Sequence, residues 1–235
     1  MMSRTKRERR YTPDETRRRL IEHGLDLFGR RGLDGVSTRT LAEAAQANIS
    51  AIPYHFGSKE ALYKAVAEHI VASIGVKLCA AAEHAQDRAK DIRREDAAEC
   101  AGDLLAAVAG TLVNSPQATA YGGFVVREQL QPTAAFDIIY AGVIEPVHLA
   151  LSALVARALG TERDDAETIF RAHALIGQAL VFATARAALL RRLDRNSLRR
   201  EDVDQAVAVL RLHAKLVLVP HHPDLRLGRL HDHPA

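Results

Sequence analysis

Apolar residues recur every three or four positions along most of the chain. There is no sustained Val/Ile/Thr alternation and no Asn-Gly hairpin signal, so the pattern predicts an all-α protein. Leu20, Ile21, Gly24, Leu25, Leu27 and Phe28 form the inner face of a first helix. Thr12-Pro13-Asp14-Glu15 opens it, with threonine as N-cap, proline at the first helical position and Glu15 placed for a capping box. Arg31-Gly32 closes it, cations near the carbonyl end and glycine after it. The loop LDGV leads to Ser37 and a second helix, RTLAEAAQ, with Leu41, Ala42 and Ala45 inward. After a turn at Gln46–Asn48, a third helix is expected over Ile49–Phe56, ended by Gly57. Ser58-Lys59-Glu60 starts a fourth, expected to reach the neighbourhood of Asp87. Further helices are expected near 95–114, 117–130, 133–159, 164–193 and 200–218. Pro116 and Pro132 fall at boundaries, while Pro146 lies inside a helical pattern and should kink or split it. The segment from 219 to 235 has lost the periodicity and is expected to be loose.

Two short helices joined by a tight turn, with a supporting helix before them, predict a helix-turn-helix, whose second helix enters the DNA major groove. Its start carries Asn48, Ser50 and Ala51: two side chains able to hydrogen-bond base edges and a methyl able to touch thymine. Tyr54, His55 and Lys59 are phosphate donors, Lys59 beside the free N–H groups of the next helix, and Thr38 and Arg39 can grip the other side of the groove. Ile52 and Phe56, four apart, lock the short helix onto its neighbours. Taken singly, His55 reads as a surface histidine, Tyr54 as a packing residue and Lys59 as an exposed lysine; Asn48 has a second reading as a helix N-cap. The spacing that gathers them makes the case.

Charge agrees with this end meeting a polyanion. Residues 1–60 hold 12 Lys and Arg against 8 Asp and Glu, whereas residues 61–235 hold 20 against 21. The alternative for the basic run is a solvated, disordered arm over residues 1–11.

Residues 16–66, TRRRLIEHGLDLFGRRGLDGVSTRTLAEAAQANISAIPYHFGSKEALYKAV, resemble the DNA-binding domain of the TetR family of bacterial one-component repressors. Further on, REQLQPTAAFDIIYAGVIEP (127–146) and ARAALLRRL (185–193) resemble the C-terminal domain of its CecR-like subgroup. The resemblance implies a helix-turn-helix domain over 12–60, then an all-helical ligand-binding and dimerisation domain over 61–218. It also implies a dimer that binds a palindromic operator and leaves it when a small molecule binds. Two positions depart from the family pattern: Gln46, where glycine is common in the turn, and Pro53, where tyrosine is common. Five residues into the expected helix, Pro53 should remove a donor and crowd the Ile49 carbonyl.

The helices at 164–193 and 200–218 are apolar on more than one side, through Leu175, Phe182 and Leu189 in one and Val203, Val207 and Leu210 in the other. A helix buried on two sides needs a large core or a partner, so a four-helix dimer interface and the core of a monomer are the two readings. Residues 121–148 mix aromatics and charges. Tyr121, Phe124, Arg127, Glu128, Phe136, Tyr140 and His148 are candidates to line a small-molecule site, and equally for an ion-pair network and plain core.

Other classes fare worse. There is no Walker loop, GxGxxG, HExxH or GxSxG. Glu22-His23 and Glu83-His84 are adjacent rather than three apart, so a helical di-iron centre does not fit. No enzyme, cofactor or resident metal is therefore expected, and His221, His222, His231 and His233 in the tail read as adventitious ligands at most. Cys79 and Cys100, in no CxxC, suit a reducing cytoplasm. The N-terminus lacks the apolar core of a secretory signal, and charges interrupt every run of about 18 apolar residues, so no membrane span is expected. The remaining alternative is a helical adaptor whose basic end meets acidic protein or membrane; salt-dependent DNA binding separates it from a repressor.

Overall fold

The computed structural model describes residues 11–114 and 117–218, all of them in helices, turns and loops. Residues 1–10 of the basic arm and the four tail histidines lie outside the described residues. Three helices form the N-terminal unit: α1 (Pro13–Arg31), α2 (Thr38–Ala45) and α3 (Ala51–Phe56). The capping box at Thr12 is present, with Glu15 N donating to Thr12 Oγ1 and Thr12 N to Glu15 Oε2. Ser37 caps α2 through the Thr40 amide. Leu20, Leu25, Phe28, Leu41, Ala45 and Ile52 are buried together. The turn between α2 and α3 needs one left-handed residue, and Gln46 supplies it at φ 52 without being glycine. Its amide bonds back to Ala42 and Glu43 and that of Ala47 to Ala42, and its side chain accepts from the Tyr11 hydroxyl. Tyr11 in turn lies under the Arg19 guanidinium, whose Nε donates to Ala45 O. The departure from glycine is thus compensated by a local clasp.

The rest is a helical body: α4 (Lys59–Ile70), α5 (Val76–Asp91), α6 (Arg94–Asn114), α7 (Ala118–Leu130), α8 (Ala134–Ile139), α9 (Glu145–Leu159), α10 (Ala166–Thr184), α11 (Arg186–Leu193) and α12 (Arg200–Leu218). α4 and α5 are one continuous helix through a π-turn at Val71–Gly75, and α8 and α9 are another through a π-turn at Tyr140–Ile144. Pro146 explains the second. It has no N–H to give to Gly142, so the ladder widens by one residue just before it. The Gly142 carbonyl is not left bare, because the Cys79 thiol donates to it at 3.3 Å. The two π-turns pack on each other at Gly75 and Gly142, where a Cβ on Gly75 would stand 2.9 Å from Gly142 O. The helix expected over 164–193 is in fact broken, α11 turning away from α10 by 64°. Thr184 at the break bonds its hydroxyl to Leu180 O, a back-bond that bends helices.

Both continuous helices, Lys59–Asp91 and Ala134–Leu159, are by length and composition apolar enough to cross a membrane, contrary to the expectation from uninterrupted runs. A few charges break a run without lowering its mean hydropathy much. In the fold these two helices pack on each other and on α6, which accounts for their composition.

Candidate nucleic-acid interface

α3 starts at Ala51, two residues later than expected. The reason is Asn48, whose Oδ1 accepts from both the amide and the hydroxyl of Ser50, at 3.0 and 2.9 Å. Asn48 is therefore engaged in a turn ahead of α3 and is not its N-cap, a position held by Ser50, which keeps its oxygen for a further donor. The later start also corrects the expectation for Pro53. It is the third helical residue, where an amide has no intrahelical acceptor, and the first α3 bond runs from Tyr54 N to Ser50 O. Pro53 therefore costs α3 no intrahelical hydrogen bond.

Ile52 is buried and Phe56 half-buried beneath the Arg17 guanidinium, 5.4 Å from the ring centre, so this face is fixed inward. Tyr54 is 78% exposed, its ring edge-on to that of His55 at 4.8 Å. Asn48 and Ser50 are exposed, and Ala51 is half-buried against the core. Thr38 is half-buried; Arg39 is exposed and, among the described residues, pairs with Glu43 at 2.9 Å. Such a pair is weak in water, so a phosphate can displace it.

Lys59 is placed differently from expectation. Its Nζ donates to Leu33 O at 2.9 Å, tying the α1–α2 loop to α4 and leaving two donors. The first turn of α4 is not an open anion site. Ser58 Oγ accepts from Ala61 N, and Glu60 sits there with its carboxyl held below the usual range by its own backbone N–H and by the Ser58 hydroxyl.

The residues proposed to line a small-molecule site do not converge. Tyr121, Phe124 and Glu128 are buried. Phe28, Tyr63 and Phe124, from α1, α4 and α7, form a chain of rings at 4.9 and 4.6 Å. Glu128 accepts from the Tyr63 hydroxyl at 2.6 Å and from the amide and hydroxyl of Thr133. Burial, then the Glu128 hydrogen bond and charge, push the Tyr63 phenol well above its ordinary value. Arg127 donates to Arg30 O, and its guanidinium lies over Gly32. At Gly29 and Gly123 the backbones of α1 and α7 nearly touch: a Cβ on Gly29 would stand 3.0 Å from Ala120 O. These candidates are corrected to a seal that joins the N-terminal unit to the body. Phe136 and exposed Tyr140 pair with each other at 5.7 Å. His148 faces His173 at 5.3 Å; burial, and secondarily His173, lower its pKa.

The dimer candidates divide. Leu175 and Leu210 are each 1% exposed and belong to the chain's own core, so they are corrected. Phe182, Leu189, Val203 and Val207 are half-buried. The outward apolar residues are instead Ile169, Phe170 (73% exposed) and Val181 on α10, with Leu212, Leu216 and Val217 on α12. Gln178 and His213 join the two helices at 2.8 Å. Periodicity marked both helices as two-sided, yet a difference of one or two residues separates the inner stripe from the outer one.

Comparison with known proteins adds to this geometry. Residues 20–66 match the family described as bacterial regulatory proteins, tetR family. Residues 100–219 match the C-terminal domain of the HTH-type transcriptional dual regulator CecR. The CecR protein of Shigella flexneri is 33% identical over 213 residues, covering 87% of this chain and 92% of that protein. A TetR-like transcriptional regulator from Rhodococcus sp. RHA1 shares the fold at TM-score 0.59 and 17% identity, over 87% of this chain and 96% of its own. The hemolysin II transcriptional regulator HlyIIR does so at TM-score 0.51 and 15% identity, over 84% and 98%.

Proposed function

The chain belongs to the TetR family of bacterial regulatory proteins, with a CecR-type C-terminal domain, and on that premise we propose that it is a cytoplasmic homodimeric repressor. It binds a palindromic operator and is released by a small molecule. The chain is thus a transcriptional regulator of the helix-turn-helix class and not an enzyme. The observation that carries the operator reading is the exposed polar start of α3. Ser50 and Tyr54 stand clear of the core, while Ile52 anchors the helix from below. Arg39 and the two remaining Lys59 donors supply phosphate contacts. The outward residues of α10 and α12 support the dimer, since six large apolar side chains on adjoining helices are costly to leave in water. The seal at Glu128, Arg127 and Gly29 supports ligand release, because a shift of α7 or α4 is passed to α1 through direct bonds.

The test is selection of bound duplexes from a random pool, followed by a screen of small molecules for release of the selected site. A near-palindromic winner is expected, its half-sites mirroring the two-fold axis. Winners without inverted symmetry count against two equivalent reading heads. The relative's name describes a dual regulator, so reporter assays on the selected site should be scored for activation as well as repression.

A further inference from the structure

A groove of about 780 Å³ opens where the C-terminal ends of α5 and α9 meet the start of α6. It lies at the far end of the continuous Lys59–Asp91 helix from the recognition unit, and contains none of the site residues that the sequence suggested. Its lining is charged in one sense. Lys90, Arg94, Arg157 and Arg163 border it, against the single acid Glu162, and Leu149 and Ala153 provide apolar wall.

Two of the four cations are held in place by the backbone. Arg94 Nε donates to Ala158 O at 3.0 Å, across from α6 to the end of α9. Arg157 Nε donates to Ile92 O at 2.7 Å, in the opposite direction. The two arginines thus cross-strap the helix ends by Nε alone, and among the described residues neither is paired with a carboxylate. Gly160 completes the arrangement. It closes α9 at φ 70, and a Cβ there would collide with the Arg94 guanidinium. Lys90 and Arg163 carry exposed partners, Asp87 and Asp164, which an incoming anion can displace. Fixed guanidinium groups beside apolar wall are the chemistry that recognises a carboxylate or phosphate attached to a hydrocarbon body.

We propose that this groove is a binding site for a small amphipathic organic anion, a carboxylate or a phosphate monoester with an apolar body. Its use as the effector site rests on the ligand-released reading above; binding itself does not.

The experiment titrates the full chain with octanoate, octyl phosphate and octanol by calorimetry. The same titrations are made on Arg94→Gln/Arg157→Gln and, because that pair also straps helix ends, on Leu149→Glu, a surface change that brings an acid to the groove. The expected result is that at least one anion binds wild type, that octanol binds about tenfold more weakly or not at all, and that both variants lose about tenfold or more. Whichever of octanoate and octyl phosphate binds more tightly identifies the head group. The proposal is overturned by octanol matching the anions, by neither anion binding, or by unchanged affinity in both variants. A parallel arm adds the bound anion to the protein on its selected duplex. Binding at the groove without release supports the site and counts against ligand release; a selected duplex with no anion binding overturns the site and supports the operator reading.

Discussion

α3 and α10 read differently although both are helices of the same chain. α3 has six residues and buries only Ile52. The turn before it is clasped by Asn48 and Gln46, and glycine follows it. With one apolar anchor there is one way to lay it down, so the exposed set follows at once. α10 has nineteen residues and is apolar almost all round. Thr168, Ala172, Leu175, Ile176 and Ala179 face in, while Ile169, Phe170 and Val181 face out. Both faces satisfy a helical period, and only the packing of α6, α7 and α9 chooses between them. A local motif can be oriented from its own residues; a two-sided helix cannot.

Substitutions that treat the two faces of α10 alike in chemistry separate them most strongly. Leu175→Glu buries an unpaired carboxylate in the core and should cost about 4 kcal/mol or more, leaving little folded protein. Phe170→Glu places the same group outside, so circular dichroism should show an intact helical fold while light scattering reports monomer. A folded Leu175→Glu monomer together with a dimeric Phe170→Glu would invert the assignment of the faces.

The same contrast governs what was legible. The capping box at Thr12 and the inward Ile52 are written in adjacent residues, and the structure has them as expected. The role of Glu128 was not, because its partners Tyr63 and Thr133 come from other elements, one of them 65 positions away. A charged residue in an apolar stretch announces that something must satisfy it, without saying whether that is a ligand or a neighbour. The straps of Arg94 and Arg157 were illegible for the same reason, their acceptors lying 64 and 65 positions away. The π-turn at Tyr140–Ile144 lies between these cases: Pro146 forecast the disturbance, but not that it would be absorbed without breaking the helix.

The seal between the two regions offers a medium-sized effect. Tyr63→Phe removes one hydrogen bond to a buried carboxylate and should cost about 1.5–3 kcal/mol in chemical denaturation. Its pH dependence is a second readout. The folded phenol titrates above the unfolded one, so its contribution is complete below the ordinary phenol value of 10.0 and is lost as pH rises beyond it. Wild type should therefore lose stability faster than Tyr63→Phe as the pH rises above about 10. Parallel curves would mean that the phenol is solvated and that the seal is looser than its distances imply.

The smallest effects lie in the recognition unit, where they differ in kind more than in size. Asn48→Ala removes the acceptor for the Ser50 amide and hydroxyl, so it should destabilise the start of α3 by about 1 kcal/mol and lower affinity for every duplex without altering base preference. Ser50→Ala leaves that amide bond in place and removes an exposed hydroxyl, so its loss, about 1 kcal/mol, should appear on the selected site and much less on random DNA. Lys59→Ala should weaken binding to all DNA and lower the salt slope by about one. It should also loosen the α1–α2 loop, since Leu33 O loses its donor. Lys59→Arg, which keeps both charge and donors, then separates the two causes: if the slope recovers and thermal stability does not, the phosphate contact is real and the loop bond needs the ammonium. Measured on specific and random duplexes at two salt concentrations, a base-preference change in Lys59→Ala with none in Ser50→Ala would mean that α3 meets DNA by a different edge.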